Sequence, residues 1–391
     1  MRLSAEFYRR VRADLRQRLD AAELDGVLVT HPADVAYLMG FFYAVTERPV
    51  YLWFGTAPGN DFCVLPHLDV EYAEAQLVDI DLVAYPEFPG VVSAEQHLAD
   101  GLSARGLYRA RIGYSSGAAV AALDSWHELL PGAQFEQFHG IARMRAIKHP
   151  EEISFHQQAA EVCDDMLRAG RELVEDGWRR QQTLPTEGEI ARHVITFGTE
   201  EMYRRFDHVI FTTKLAGGLV YAGPNSARPH GLPSSRRLRA GDTLILSLGA
   251  AAASRFVESE RTFILGEPTD QQRRYYEVTA TAQRIGTEAL RAGRTCAESN
   301  QICLDVIREA GLGEHIRHRQ GHGIGLQNHE GPWLDDGDHT VLAPGMFLSC
   351  EPGVYVAGHG GYRISDSVLV TDDAPRRLTA YPRTLEENVI A

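Results

Sequence analysis

One break constrains this chain more than any other feature: Met144-Arg-Ala-Ile-Lys-His-Pro150 separates two stretches whose apolar residues follow different rhythms. Before it, from residue 1 to about 140, short apolar runs alternate with charged helical segments. A charged helix to about Ala22 precedes strands at Asp25–Thr30, around Val50–Phe54 and at Asp61–Leu65. Such alternation predicts an α/β layer domain. At the break, Pro150 with Glu151 and Glu152 opens a long helix, because a fixed φ and acidic side chains suit the first turn. Ile153, Ala160, Cys163 and Leu167 then recur at helical spacing. At 391 residues the chain exceeds what a single core organises well, so two domains are expected, 1–146 and 147–391.

Past the break, three capping boxes predict helix starts: Thr186 with Glu189, Thr269 with Gln272 and Thr295 with Glu298. Ile302, Cys303, Val306, Ile307 and Ala310 form one apolar stripe after the third, ending at Gly311. Between helices lie β-rich runs at Asp207–Thr213, Asp242–Leu248, Arg261–Leu265, Phe347–Cys350 and Ser367–Val370. Helices beside a largely antiparallel sheet make the second domain α+β.

The chemistry is concentrated in five stretches of that domain: Gly241-Asp-Thr-Leu-Ile-Leu-Ser247-Leu-Gly249, Phe256-Val-Glu258-Ser-Glu260-Arg261-Thr262, Gly321-His322-Gly-Ile-Gly325, Cys350-Glu351-Pro-Gly353 and Gly361-Tyr-Arg363-Ile-Ser365-Asp366. In order and spacing they resemble the signature of the pita-bread family, which holds methionine aminopeptidase, aminopeptidase P, prolidase and creatinase. The resemblance implies an α/β creatinase-type N-terminal domain followed by an α+β pita-bread C-terminal domain. In the family's metallopeptidases two Asp, one His and two Glu hold two metal ions. Here the first Asp position reads Ser247, the second Glu258 and the last Glu position Ser365, while His322 and Glu351 remain. A neutral hydroxyl is a poor ligand for a hard divalent ion, so one metal position should be lost. Glu258, His322 and Glu351 still make a His plus two-carboxylate set for a single Mn, Zn or Co ion.

The expectation drawn from this pattern is a different use of the acids, without any metal cofactor. Creatinase also lacks the metal acids, also places a Glu before its Arg-Thr pair, and also keeps a His at the spacing of His230 to Gly241. By that likeness His230, Glu260 and Glu351 are catalytic, the Glu pair binding a guanidinium or amidinium and the His carrying protons. Gly40-Phe-Phe-Tyr43-Ala-Val-Thr-Glu-Arg48-Pro49 resembles the creatinase segment that supplies a carboxylate-clamping Arg from the partner subunit. The resemblance thus implies substrate contacts from Phe42, Tyr43, Arg48, His322, His329 and Trp333, in a homodimer with shared active sites. Trp333 stands where creatinase has a second clamping Arg, which departs from a creatine site. The expected function is a metal-independent, creatinase-like hydrolase of a C–N bond in a small cationic or zwitterionic metabolite. The alternatives are a mononuclear Xaa-Pro dipeptidase or aminopeptidase P-like peptidase, and an inactive binding protein on the same fold.

The rest of the sequence narrows the class. A net charge of −14 opposes nonspecific nucleic-acid binding. No apolar run reaches membrane-spanning length, and the N-terminus lacks a signal-peptide core, so a cytoplasmic location without membrane contact is expected. Five scattered cysteines without a Cys-x-x-Cys pair fit reduced thiols. Cys350 should face the core, opposite Glu351, and Arg363 should pair with a buried acid beneath the site. The glycines of Gly321–Gly325 should let backbone approach the site closely.

Overall fold

The computed structural model describes residues 2–76, 79–206 and 216–391, so the strand expected at Asp207–Thr213 lies outside the described residues. The chain forms two compact units, Arg2–Arg145 and the remainder from Ala146 on.

In the first unit a six-stranded sheet runs in the order β4-β3-β2-β1-β5-β6, from β1 (Gly26–Val29), β2 (Tyr51–Gly55), β3 (Phe62–Pro66), β4 (Asp81–Tyr85), β5 (Arg111–Tyr114) and β6 (Gln134–Gln137). Three of its pairings are parallel and two antiparallel. Strands β1, β2 and β3 are buried along their whole length, which is why they read as unbroken apolar runs rather than alternating ones. Trp53, Phe62, Leu98 and Trp126 fill one face of the sheet.

The second unit opens with the helix Pro150–Arg179. Glu152 accepts the His149 N–H at 3.1 Å and ion-pairs with Arg255 at 2.9 Å, so one side chain both starts the helix and ties it to the sheet it covers. All three expected capping boxes are formed, starting helices Glu187–Arg205, Asp270–Ala289 and Cys296–Glu309. The sheet the helices cover is built from β7 (Ala216–Ala222), β8 (Thr243–Ala252) and β9 (Arg255–Leu265), which pair antiparallel. A second sheet is built from β10 (Gly321–Gly323), β11 (Glu330–Leu334), β12 (Phe347–Cys350) and, beyond the hairpin β13 (Gly353–Val356) and β14 (Gly360–Arg363), β15 (Asp366–Leu369) and β16 (Arg376–Arg377). Strand β17 (Val389–Ile390) adds parallel to β9.

Two glycines are required where these pieces meet. A Cβ on Gly321 would lie 2.0 Å from the Ser349 carbonyl oxygen, and one on Gly325 would lie 2.1 Å from Glu330 Oε1, a carboxylate held by Lys148 at 3.0 Å. The Gly-His-Gly-Ile-Gly run is therefore a close-packing device against β12 and Glu330. Among the described residues no helix is long and apolar enough to cross a membrane. All five cysteines are buried and free, Cys350 among them in a core cluster with Leu348 and Val368.

Candidate active site

Register decides which side chains meet. Across β8 and β9, Ser247 faces Glu260 and Gly249 faces Glu258. Glu258 and Glu260 are separated by one residue, so both carboxylates leave the same face of β9. Glu351 follows β12, and His322 projects from β10. A cleft of about 400 Å³ opens over this face, lined by Ser247, Glu258, Glu260, Glu351 and Arg363, with His230, His318, Arg319 and His329 around it.

His322 lies beneath the cleft and is fully buried. Its Nδ1 sits 3.1 Å from the Gly323 carbonyl oxygen, which assigns a proton to Nδ1 and turns Nε2 toward the acids. Nε2 lies 3.4 Å from Glu351 Oε1 and 3.5 Å from Glu258 Oε1, and it has no hydrogen-bond partner among the described residues. A charge-assisted hydrogen bond would close to about 2.7–2.9 Å. The rings of His322 and His329 stack with centroids 3.8 Å apart. Ligand atoms of Glu258, His322 and His329 all lie within 4.8 Å of one another.

The charges respond to one another strongly. Burial pushes the His322 pKa down, yet Glu258 and Glu351 outweigh it and raise it to about 9. Burial pushes the Glu351 carboxyl up, and His322, His318 and Arg363 together hold it well below the usual carboxylate range. Glu258 is raised, chiefly by burial. Burial raises the Glu260 carboxyl above its usual range, with Glu351 and Glu258 adding to the rise and Arg363 opposing it. His329 is lowered to about 4, first by burial and then by the neighbouring His322, which keeps it neutral. A histidine driven to protonate between two acids marks a place that favours positive charge.

That place fits one divalent ion. Glu258, His322 and Glu351 supply an imidazole and two carboxylates, with His329 at hand, a donor set suited to Zn, Mn or Co. A second ion does not fit. Ser247 donates its hydroxyl to Glu260, and Ser365 is fully buried with its hydroxyl 3.0 Å from that of Ser349, so neither position offers a negative ligand.

Glu260 is not free to receive a substrate cation, because it already has one. Arg363 Nε lies 2.6 Å from Glu260 Oε2, an ion pair off the line a hydrogen bond prefers, and both side chains are buried. This is the buried acid expected for Arg363. His230 is exposed on the cleft wall. Trp333 faces His322 across β10 and β11, and its ring carries the Arg319 guanidinium 4.7 Å from its centroid. Phe42 and Tyr43 are buried within the first unit, Tyr43 stacked on Phe41, and Arg48 there pairs with Glu47 and with Glu87 at 2.9 Å. Sequence reasoning passed over His318, Arg319 and Ser349. His318 and Arg319 stand just before Gly321-His322, where two polar basic-type side chains beside a candidate site histidine were the available signal. Ser349, which donates to Glu258, carried none.

Residues 12–147 match the Creatinase/Prolidase N-terminal domain, and residues 154–372 match metallopeptidase family M24. The chain is 27% identical to the Xaa-Pro dipeptidase of Pyrococcus furiosus over 94% of its own length and 97% of the relative's. To the Xaa-Pro dipeptidase of Lactobacillus delbrueckii subsp. lactis it is 29% identical, over 95% and 97%. Among solved structures, dipeptidase PepE from Mycobacterium ulcerans superposes with a TM-score of 0.85 at 27% identity over all of both chains. The Xaa-Pro dipeptidase from Bacillus anthracis gives 0.83 at 26%, over 97% and 99%.

These relatives, with the cation-shaped group at His322, overturn two expectations: the metal-independent creatinase-like hydrolase, and the absence of a metal cofactor. Ser247 and Ser365 remove two of the family's acids, yet Glu258 and Glu351 still face the same His322 nitrogen, with His329 beside it. Both domains, the order of the motifs and the site they build agree: the chain belongs to metallopeptidase family M24.

Proposed function

We propose that the protein is a single-metal peptidase acting on dipeptides of the Xaa-Pro type, with the ion held by Glu258, His322 and Glu351. The observation that carries this is the buried, unpartnered Nε2 of His322, aimed between two carboxylates at distances suited to an intervening cation. Similarity to Xaa-Pro dipeptidases over nearly the whole chain supports the substrate class. A divalent ion bound there supplies Lewis acidity and an activated water.

The protein's own residues supply the rest. Leu219, Phe256, Val257 and Ile324 give the cleft an apolar wall for a prolyl ring. Arg319 has no carboxylate within ion-pair distance among the described residues, and its stacking on Trp333 holds the guanidinium at the cleft for a substrate carboxylate. His230 exchanges a proton with the departing nitrogen, a role supported by its position on the open cleft wall. At about 400 Å³ the cleft suits a dipeptide rather than a folded chain.

Metal-stripped protein should be inactive on Xaa-Pro dipeptides and regain turnover with added Mn, Zn or Co. No turnover of any Xaa-Pro dipeptide in the metal-loaded form would sink the proposal. His230→Ala should lower kcat by about 10²–10⁴ while leaving metal content unchanged; unchanged kcat removes His230 from the chemistry. On the same reading the chain works as a homodimer, supported by the likeness of Gly40–Pro49 to a subunit-bridging segment and testable by light scattering.

A further inference from the structure

Among the described residues no hydrogen bond reaches the His230 ring, so whatever aims it over the cleft acts through its backbone. That backbone is a tight turn. The Gly231 N–H donates to the Arg228 carbonyl at 2.9 Å and closes Arg228-Pro229-His230-Gly231, with proline in the second position, where its fixed φ suits such turns. The loop around the turn is rooted at both ends in Glu187, fully buried in the first turn of the helix Glu187–Arg205. Its carboxylate accepts the Ala222 N–H at 2.7 Å before the turn and the Ser234 N–H at 3.0 Å after it.

Between those roots one contact sets the turn itself. Tyr221, fully buried in β7, bonds the Pro229 carbonyl oxygen at 3.0 Å, and that carbonyl belongs to the rigid peptide plane that joins Pro229 to His230. The direction of the bond is forced. Arg363 points a guanidinium N–H at the same hydroxyl, and a guanidinium can only donate. The Tyr221 oxygen therefore accepts from Arg363, and its single proton goes to Pro229. The guanidinium is in turn held by Glu260, 2.6 Å from Nε, in the cleft that His230 lines.

We infer that Tyr221 is a positioning residue: its hydroxyl, set by Arg363, holds the peptide that carries His230 and so aims the imidazole at the departing nitrogen. The inference rests on the proton role given to His230 above, and its test separates the two.

Tyr221→Phe removes the hydroxyl and nothing else. In the Mn²⁺-loaded full-length enzyme, assayed on an Xaa-Pro dipeptide, kcat should fall by about tenfold to a hundredfold, as for a catalytic group displaced by about an ångström. KM should stay within about twofold, with the Mn²⁺ Kd unchanged, because the apolar wall and the acids are untouched. Parental kcat overturns the inference, and so does a weakened Kd, which would show the hydroxyl acting on the acids through Arg363.

Coupling is the decisive readout. In a His230→Ala background, Tyr221→Phe should cost less than about twofold further in kcat, since no imidazole is left to aim. A second loss of full size overturns the positioning role and leaves the proton role of His230 standing. A parent enzyme without turnover, or a His230→Ala variant with parental kcat, overturns both. Circular dichroism checks folding. Should Tyr221→Phe not fold, Pro229→Gly frees the same peptide from outside the core and should show the same kcat loss and the same coupling; parental kcat there overturns the inference.

Discussion

Asp164, on the helix Pro150–Arg179, accepts the Ala380 N–H at 2.7 Å with one oxygen, while the other is buried without a hydrogen-bond partner. Burial pushes its pKa up to about 6, although the backbone N–H and Arg261 pull the other way. The folded chain thus holds this proton more tightly than the unfolded chain, whose Asp titrates near about 3.9. Stability from this group is present below that value and lost as pH rises toward about 6, so at neutral pH the ionised carboxylate is a burden. Asp164→Asn keeps an acceptor for Ala380 and removes the charge. It should stabilise the fold by about 2 kcal/mol at pH 7.5, with the gain fading by about pH 4, as read by denaturant melts at both pH values. Equal gains at both would refute the cause. Residues of this kind are illegible in sequence, because Asp164 looks like any polar helix position. His322 and Glu351 are legible from their glycine frames. Glu260 is legible as a site residue, but its commitment to Arg363 is not, since the guanidinium arrives from β14, about a hundred residues away.

Elements that depend on local chemistry are the most legible. Each capping box joins residues three apart, so the sequence contains the whole interaction, and all three form. Sheet pairing is nonlocal, and the sequence does not reveal that β10, β11, β12 and β15 leave the β7–β9 sheet to form a second one. The strand β10 is short, three residues, and depends on close approach to β12. Gly321→Ala places a methyl 2.0 Å from the Ser349 carbonyl, where backbone and not a flexible side chain must yield. The expected cost is about 3 kcal/mol, with the neighbouring His322 displaced from Glu258 and Glu351. Thermal melts and a Mn²⁺ titration check it together. Loss of stability with normal metal affinity would show that β10 adapts without moving its ligand.

At the scale of the whole molecule, each unit has its own apolar cores, and every residue assigned to the metal lies in the second. A chain built this way need not unfold in one step. Apo protein should give two calorimetric transitions. An ion that binds only the folded second unit stabilises that unit by mass action, by about 2.7 kcal/mol at a hundredfold excess over its Kd. For a unit of this size that corresponds to roughly 5–10 °C. Among the described residues the first unit offers no group of three ligands, and it should melt unchanged. Mn²⁺ should therefore raise one transition and leave the other where it was, and His322→Ala should abolish the shift. If both transitions move together by the same amount, the two units unfold cooperatively and the linkage spans the chain; if neither moves, the donor set at His322 does not hold an ion.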